Sequence, residues 1–335
     1  MTAQQTPGRF GSLPGPARRV AQWLADTPVA IAVAIAVALV VVGEIISPGF
    51  ASYGQIISLL RVSAFLGIIA MGQTIVIISG GEGIDLSVGK VATFSAIIAA
   101  RTIEGDNSQV LGGLALALVV CAGVGLVNGI GIAYARIPPL VMTLGMIGVV
   151  QGLILIYTGG TAAGRAAPAM ITLVKGNTIA SIPGLLWIWL VLGMAVALVL
   201  RRTTFGWRVY ALGANRHAAE LSGITVRHNV IAVYVCSSLL AALGGFFLLG
   251  FTETVFLNLA DQYMLPSIAA VVIGGTTLAG GVGGYAGTAV GAIVLTVLES
   301  LLTTIRMDAA QRQIVLGIVL IVLLSAYGRQ RRLRQ

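Results

Sequence analysis

Residues Arg201–His228 read RRTTFGWRVYALGANRHAAELSGITVRH, a polar interruption between two almost continuously apolar stretches. The segment holds five arginines, both histidines of the chain and a single acid, Glu220. So basic a loop between apolar runs is expected on the cytoplasmic side of a membrane. It also carries a local helix signal. Asn215 is an N-cap residue, Arg216–Leu221 follows, and Gly223 stands where a helix stops. Ala218, Ala219 and Leu221 give this short helix a small apolar side. Held between membrane spans, it is expected to touch another protein through Asn215, Ala218, Ala219, Leu221, Ser222 and Gly223.

Composition fixes the solvent. Apolar residues are 57% of the 335 and charged residues 9%, where soluble domains carry about 25% charged. A surface so poor in charge belongs in lipid. The net charge of +9 does not point to nucleic acid, because the arginines cluster between and beyond apolar runs, which is a topology signal. Cys121 and Cys236 lie singly inside apolar runs without metal-ligand spacing, and read as small buried residues.

Outward from the basic loop, the expected fold is all-α: a polytopic membrane protein of about ten spans, some short or broken, with both termini cytoplasmic. The spans fall near 29–47, 56–79, 87–101, 110–134, 138–157, 184–200, 229–251, 266–279, 285–304 and 312–327. Residues 1–27 read as a disordered cytoplasmic tail, 28–328 as the membrane domain with its loop at 201–228, and 329–335 as a basic cytoplasmic tail. On this map the inner loops carry Arg9, Arg18, Arg19, Arg136, the five arginines of 201–228 and the four of the C-terminal tail. The outer loops carry only Arg101, Arg165, Lys175, Arg306 and Arg312. Trp187 and Trp189 are expected in the outer interfacial belt.

Two glycine-rich interruptions, Ser79–Gly89 and Gly274–Gly291, read as a weak internal repeat of broken helices. A clean five-plus-five inverted repeat does not fit the spacing. The GxxxG runs Gly125–Gly129 and Gly283–Gly287–Gly291 read as helix-packing sites. Asp85 is the sharpest single residue: a carboxylate beside membrane on both sides faces protein or water, since lipid exposure costs about 2.5–3.5 kcal/mol. Two roles stay open for it, a brace at the start of the third span and a contact to solute. Asp85, Ser87, Asn128, Thr143 and Gln151 form the candidate solute path; interhelical hydrogen bonding is the alternative for the embedded amides and hydroxyls, Gln73 included.

The chain offers no catalytic constellation and no metal cluster. Gly83–Lys90 is one residue too long for a phosphate loop, and Val91 replaces its hydroxyl; Gly281–Ala286 mimics a dinucleotide fingerprint without its strand. No nucleotide site and no cofactor are expected in this chain.

GIDLSVG at 83–89, IPPLVMTLGM at 137–146, GLILIYTGG at 152–160, FGWRVYALGAN with AAELSGI at 205–224 and IAAVVIGGTTLAGGVGGYAGTAVGA at 268–292 resemble, in family order, the permeases of ribose/xylose-type ATP-binding-cassette importers. Glu82 and Glu220 depart from that pattern. The resemblance implies a bacterial inner-membrane subunit without bond chemistry of its own. It implies a cytoplasmic ATPase partner that binds ATP and magnesium and docks on the basic loop. It also implies an extracytoplasmic sugar-binding protein, a second permease copy (identical or related) and a pentose-like sugar or polyol as solute. Nucleosides or another hydroxylated solute, and an ion-coupled transporter without an ATPase, are the alternatives.

Overall fold

The computed structural model describes residues 28–179 and 181–332. The tail expected at 1–27 lies outside them, as do 333–335. In chain order the helices are α1 Pro28–Ile46, α2 Tyr53–Ile78, α3 Val88–Ile103, α4 Val110–Ala133, α5 Pro139–Thr158, α6 Pro168–Lys175, α7 Gly184–Arg202, α8 Thr204–Ala214, α9 Arg216–Leu221, α10 Val226–Thr252, α11 Met264–Ile273, α12 Tyr285–Thr304 and α13 Ala309–Arg332. A small antiparallel hairpin, β1 Asn177–Ile179 and β2 Ile182–Pro183, joins α6 to α7. A helix stands at each of the ten expected spans, and the protein is an all-α, multi-pass membrane protein. Among the described residues, seven helices are long and apolar enough to cross a membrane. The 16 residues of α3 and the 10 of α11 are too few, since a full crossing takes about 20. Helix α13 continues to Arg332, through the first residues of the expected basic tail.

The two longest helices form the centre. In α2 every residue from Ser63 to Ile78 is buried, and α10 packs against α2, α3 and α4. Small residues let the backbones close: a Cβ at Gly245 of α10 would meet Ala92 O at 1.9 Å, and one at Gly125 of α4 would meet Tyr234 O at 2.6 Å. At Gly287 it would meet Gly274 O at 1.9 Å, and at Gly291 Ala270 O at 2.1 Å. The GxxxG runs therefore pack helices, as their spacing predicts.

Loop contacts fix which ends lie together. At one end Gly281 N–H donates to Ile78 O at 2.9 Å, and Arg227 sits 5.2 Å from the centroid of the Tyr134 ring. At the other, Gly105 N–H donates to Arg165 O, Lys175 pairs with Glu253 at 2.6 Å, and Tyr53 OH reaches Ser181 O. This is the alternation of sides drawn from the arginines, and the end bearing Arg201–His228 is the inner one.

The internal repeat differs from the expected one. Helix α2 ends at the inner face, an irregular segment 79–87 turns back into the bundle, and short α3 follows. Helix α10 ends at the outer face, segment 253–263 turns back, and short α11 follows. The pairs α3–α4, α3–α10, α3–α5 and α4–α10 are matched by α11–α12, α11–α2, α11–α13 and α12–α2. The two sets, α2–α5 and α10–α13, thus form an inverted repeat, with α1 and α7 each preceding in sequence. Ser79–Gly89 corresponds to 253–263, not to Gly274–Gly291. Composition misled here because 253–263 contains no glycine.

Trp187 is exposed near the outer start of α7, as an interfacial residue is, but Trp189 is not in a belt. It is buried against Gly67, and its Nε1–H donates to Tyr285 OH at 2.5 Å. One residue rotates about 100° around a helix, so two tryptophans two apart face nearly opposite ways.

Candidate functional site

The inner re-entrant segment begins with Gly80, Gly81 and Glu82, all at positive φ (72°, 65° and 59°). Glycine meets that requirement cheaply at the first two. The turn brings Asp85 into full burial. The hydroxyl and N–H of Ser87 donate to Asp85 Oδ1 at 2.6 and 3.0 Å, and Ser237 of α10 donates to Oδ2 at 2.8 Å. The carboxylate accepts from the cap residue Ser87 two positions on, as in an Asx turn, while Ser87 holds the cap position of α3. Asn128 of α4 donates to Ser87 Oγ at 3.1 Å. The Thr143 hydroxyl of α5 lies 3.2 Å from Ile84 O and 2.9 Å from Pro139 O.

Asp85, Ser87, Asn128 and Thr143 are therefore gathered into one node linking α3, α4, α5 and α10, and all four are inaccessible within the single chain. Among the described residues, Asn128 Oδ1, Tyr234 OH, Ser238 Oγ and the amide of Gln73 are buried polar atoms without a partner. Gln151 is not part of the node. It sits two turns beyond Thr143 on α5, half-buried, its Oε1 without a partner.

Ser237 stands 11 residues into α10, about 17 Å from its inner end at 1.5 Å per residue. Gly245, packed on Ala92 of α3, is about 28 Å from that end by the same rise. Lys90 falls between these levels, in the middle of the membrane. There it meets the outer re-entrant segment: Lys90 Nζ lies 2.5 Å from Asp261 Oδ2, and Ala260 N–H donates to Thr93 Oγ1 at 2.9 Å. The inner re-entrant segment leads into α3, and the outer one, entering from the opposite face, meets the first turns of α3 at the midplane. Asp261 and Lys90 escaped the sequence reading because they are 171 residues apart and follow no local pattern.

At the inner end the basic loop folds into two helices. Thr203 caps α8, its hydroxyl accepting from Gly206 N–H at 3.2 Å. Asn215 caps α9, accepting from Ala218 N–H at 3.0 Å. Helix α9 closes with Gly223 at φ 83°, where Ile224 N–H donates to Ala219 O and Gly223 N–H to Glu220 O, a Schellman ending. Ala219 is buried with Val226 and Leu212 and anchors the helix from below; Ala218, Leu221 and Ser222 face outward. The three apolar residues thus do not share one side. Leu221 and Trp207 of α8, 77% and 75% exposed, are the large apolar side chains the loop presents. Trp207 and α8 were missed by the sequence reading, although Thr203 three residues before Gly206 is a capping signal. Gly213, near the end of α8, packs on the end of α2 and on the 280–281 turn: a Cβ there would lie 1.9 Å from Ile78 O and 2.3 Å from Gly281 N.

A cleft of about 520 Å³ opens between α2, α7 and α12, lined by Leu60, Trp187, Trp189, Met194 and Ala289. Its walls are apolar, so it suits a lipid chain better than a hydroxylated solute. Among the described residues no three His, Cys, Asp or Glu side chains are grouped to hold a metal.

Comparison with known proteins places these features. The family described as the permease component of branched-chain amino acid transport systems matches residues 55–324. The ribose import permease of Escherichia coli is 32% identical over 303 residues, 90% of this chain and 92% of that protein. That of Bacillus subtilis is 34% identical over 286 residues, 85% and 88% of the two chains. The autoinducer 2 import permease of Yersinia enterocolitica is 32% identical over 264 residues, 79% and 72%. No solved structure matches the chain.

Proposed function

The chain belongs to the permease-component family of branched-chain amino acid transport systems, and from that premise we propose that it is the membrane subunit of an ATP-driven importer that carries a monosaccharide, pentose-like or a related polyol, into the cytoplasm of a bacterium. The observation that carries the solute class is the similarity along 90% of the chain to a ribose import permease. Two of the three relatives described are named for ribose, none of them for an amino acid. A nucleoside or another hydroxylated solute is the second reading, supported by the autoinducer 2 relative.

In this reading the permease performs no bond chemistry; ATP and magnesium are held by a cytoplasmic ATPase. That partner docks on α8 and α9, where Leu221 and Trp207 offer apolar anchors inside a field of arginines. Gly213 carries the push inward, since it abuts the start of the inner re-entrant segment and the 280–281 turn at once. The outer loops receive a sugar-binding protein, and a second permease copy completes the pore. Asp85 acts as a brace that holds the start of α3 to α10, both its oxygens being engaged within the chain.

The test is uptake by proteoliposomes holding the permease with its ATPase and binding protein, offered labelled ribose, xylose, a polyol, a nucleoside and leucine. ATP-dependent uptake of a pentose or polyol is expected. Uptake of leucine alone would refute the solute class, and uptake driven by an ion gradient without the ATPase would refute the transporter class.

A further inference from the structure

The place where the outer re-entrant segment meets α3 has a surface no buried brace explains. Lys90 and Asp261 pair at the midplane, with 13% and 36% of their side chains exposed. Asp261 Oδ1 is buried and has no partner. Asn258 and Gln262 are exposed beside it; they stand three residues before and one residue after Asp261, so all three project from the same short turn. An acid, a base and two amides open to the outside of the chain at membrane depth cannot face lipid, where Asp or Lys costs about 2.5–3.5 kcal/mol. They face water or protein.

We propose that Lys90, Asn258, Asp261 and Gln262 form the solute-contacting wall of the translocation path at the midplane, with the Lys90–Asp261 pair as its sugar-binding contact. The chemistry fits a polyhydroxylated solute. A carboxylate only accepts hydrogen bonds, and Asp261 Oδ2, the oxygen that faces Lys90, keeps lone-pair capacity for a sugar O–H, while the buried Oδ1 does not reach the path. The ammonium of Lys90 donates to a ring or hydroxyl oxygen. The amides of Asn258 and Gln262 both donate and accept, so they read hydroxyls without adding charge. An uncharged sugar leaves the ion pair's net charge unchanged. The pair ties one repeat to the other, so its separation is set by how α3, which continues the inner re-entrant segment, stands to the outer one. The inner of these is the segment Gly213 touches.

This assignment rests on the proposed import of a sugar, and the experiment separates the two. Gln262→Cys is placed in a chain whose Cys121 and Cys236 are replaced by alanine, with Val119→Cys on the outward apolar face of α4 as the comparison. A membrane-impermeant methanethiosulfonate is added to the assembled transporter. Reaction at 262 and none at 119 is expected whatever the solute, because the reagent needs water and a thiolate. An unreactive 262 overturns the wall. D-ribose uptake per assembled complex is then compared for the parent, Asp261→Asn and the exchanged pair Lys90→Asp with Asp261→Lys. Loss of one charged hydrogen bond should lower uptake about tenfold or more, and the exchange should not restore it, because the two groups present different donors and acceptors to the sugar. Parental uptake by Asp261→Asn, or rescue by the exchange, reduces the pair to a strut and overturns the sugar contact. If the parent takes up no sugar at all, the proposed function fails while the thiol result still stands. If Asp261→Asn does not assemble, the thiol result and ribose uptake by Asn258→Ala decide.

Discussion

The two re-entrant segments occupy equivalent places in the fold and are built in opposite ways. Segment 79–87 is glycine-rich at its turn and closes on itself, with Asp85 and Ser87 buried and bonded within the chain. Segment 253–263 contains no glycine, is held at its mouth by the exposed Lys175–Glu253 pair, and leaves Asn258 and Gln262 uncovered. The repeat is therefore one of backbone path, not of side-chain role. Where one copy lies against α8 and α9, its polar groups are consumed in holding the chain; where the other lies against the midplane surface, they remain available.

Breaking the inner segment should cost most. Gly213→Val places a side chain within 1.9 Å of Ile78 O and 2.3 Å of Gly281 N, both backbone atoms that cannot step aside. The loss should exceed the roughly 1–3 kcal/mol typical of overpacking, and the variant should yield no monodisperse protein in detergent. A well-folded Gly213→Val would show that the junction is loose. Next, Asp85→Ala strands the donors of Ser87 and Ser237; at about 1–3 kcal/mol for a buried unsatisfied group, its melting temperature should fall by several degrees. Asn258→Ala, at the equivalent stage of the outer segment, should leave the melting temperature near that of the parent and lower uptake instead. Equal thermal loss in both would erase the distinction between brace and wall.

Smaller effects sharpen the same contrast. Asn215→Ala removes the cap of α9 and should cost about 1 kcal/mol of local helix stability, read as weaker stimulation of the ATPase at unchanged permease yield. Unaltered stimulation would detach α9 from coupling. Finally, a cysteine at Ser222 should be labelled only from the cytoplasm and one at Ala163 only from outside, with no effect on stability. Labelling of both from one side would invert or collapse the assignment of the two segments to opposite faces.

Much of this was legible in the chain. A helix stands at each of the ten apolar stretches, because in lipid an apolar segment must satisfy its own backbone groups; α3 and α11 are helical although too short to cross. The arginines gave the sides. The run around Asp85 announced a buried polar node, since a lone acid between spans has to be satisfied. Less legible was α8, whose apolar character merges with the end of α7; only Thr203 and Gly206 separate them. Trp189 was misplaced because a pair of tryptophans near a span end looks alike in sequence while a helix turns them apart.

The sequence alone determined the solvent, the class, the places of ten apolar helices and the basic loop, because these follow from local composition and periodicity that each segment carries by itself. Only the tertiary structure decided that 79–87 is matched by 253–263, that Asp85 is spoken for by Ser237 across 152 residues, and that Asp261 finds Lys90 across 171. Whether an acid in a membrane braces or works depends on what stands opposite it. That is a property of two distant segments brought together, and neither segment records it.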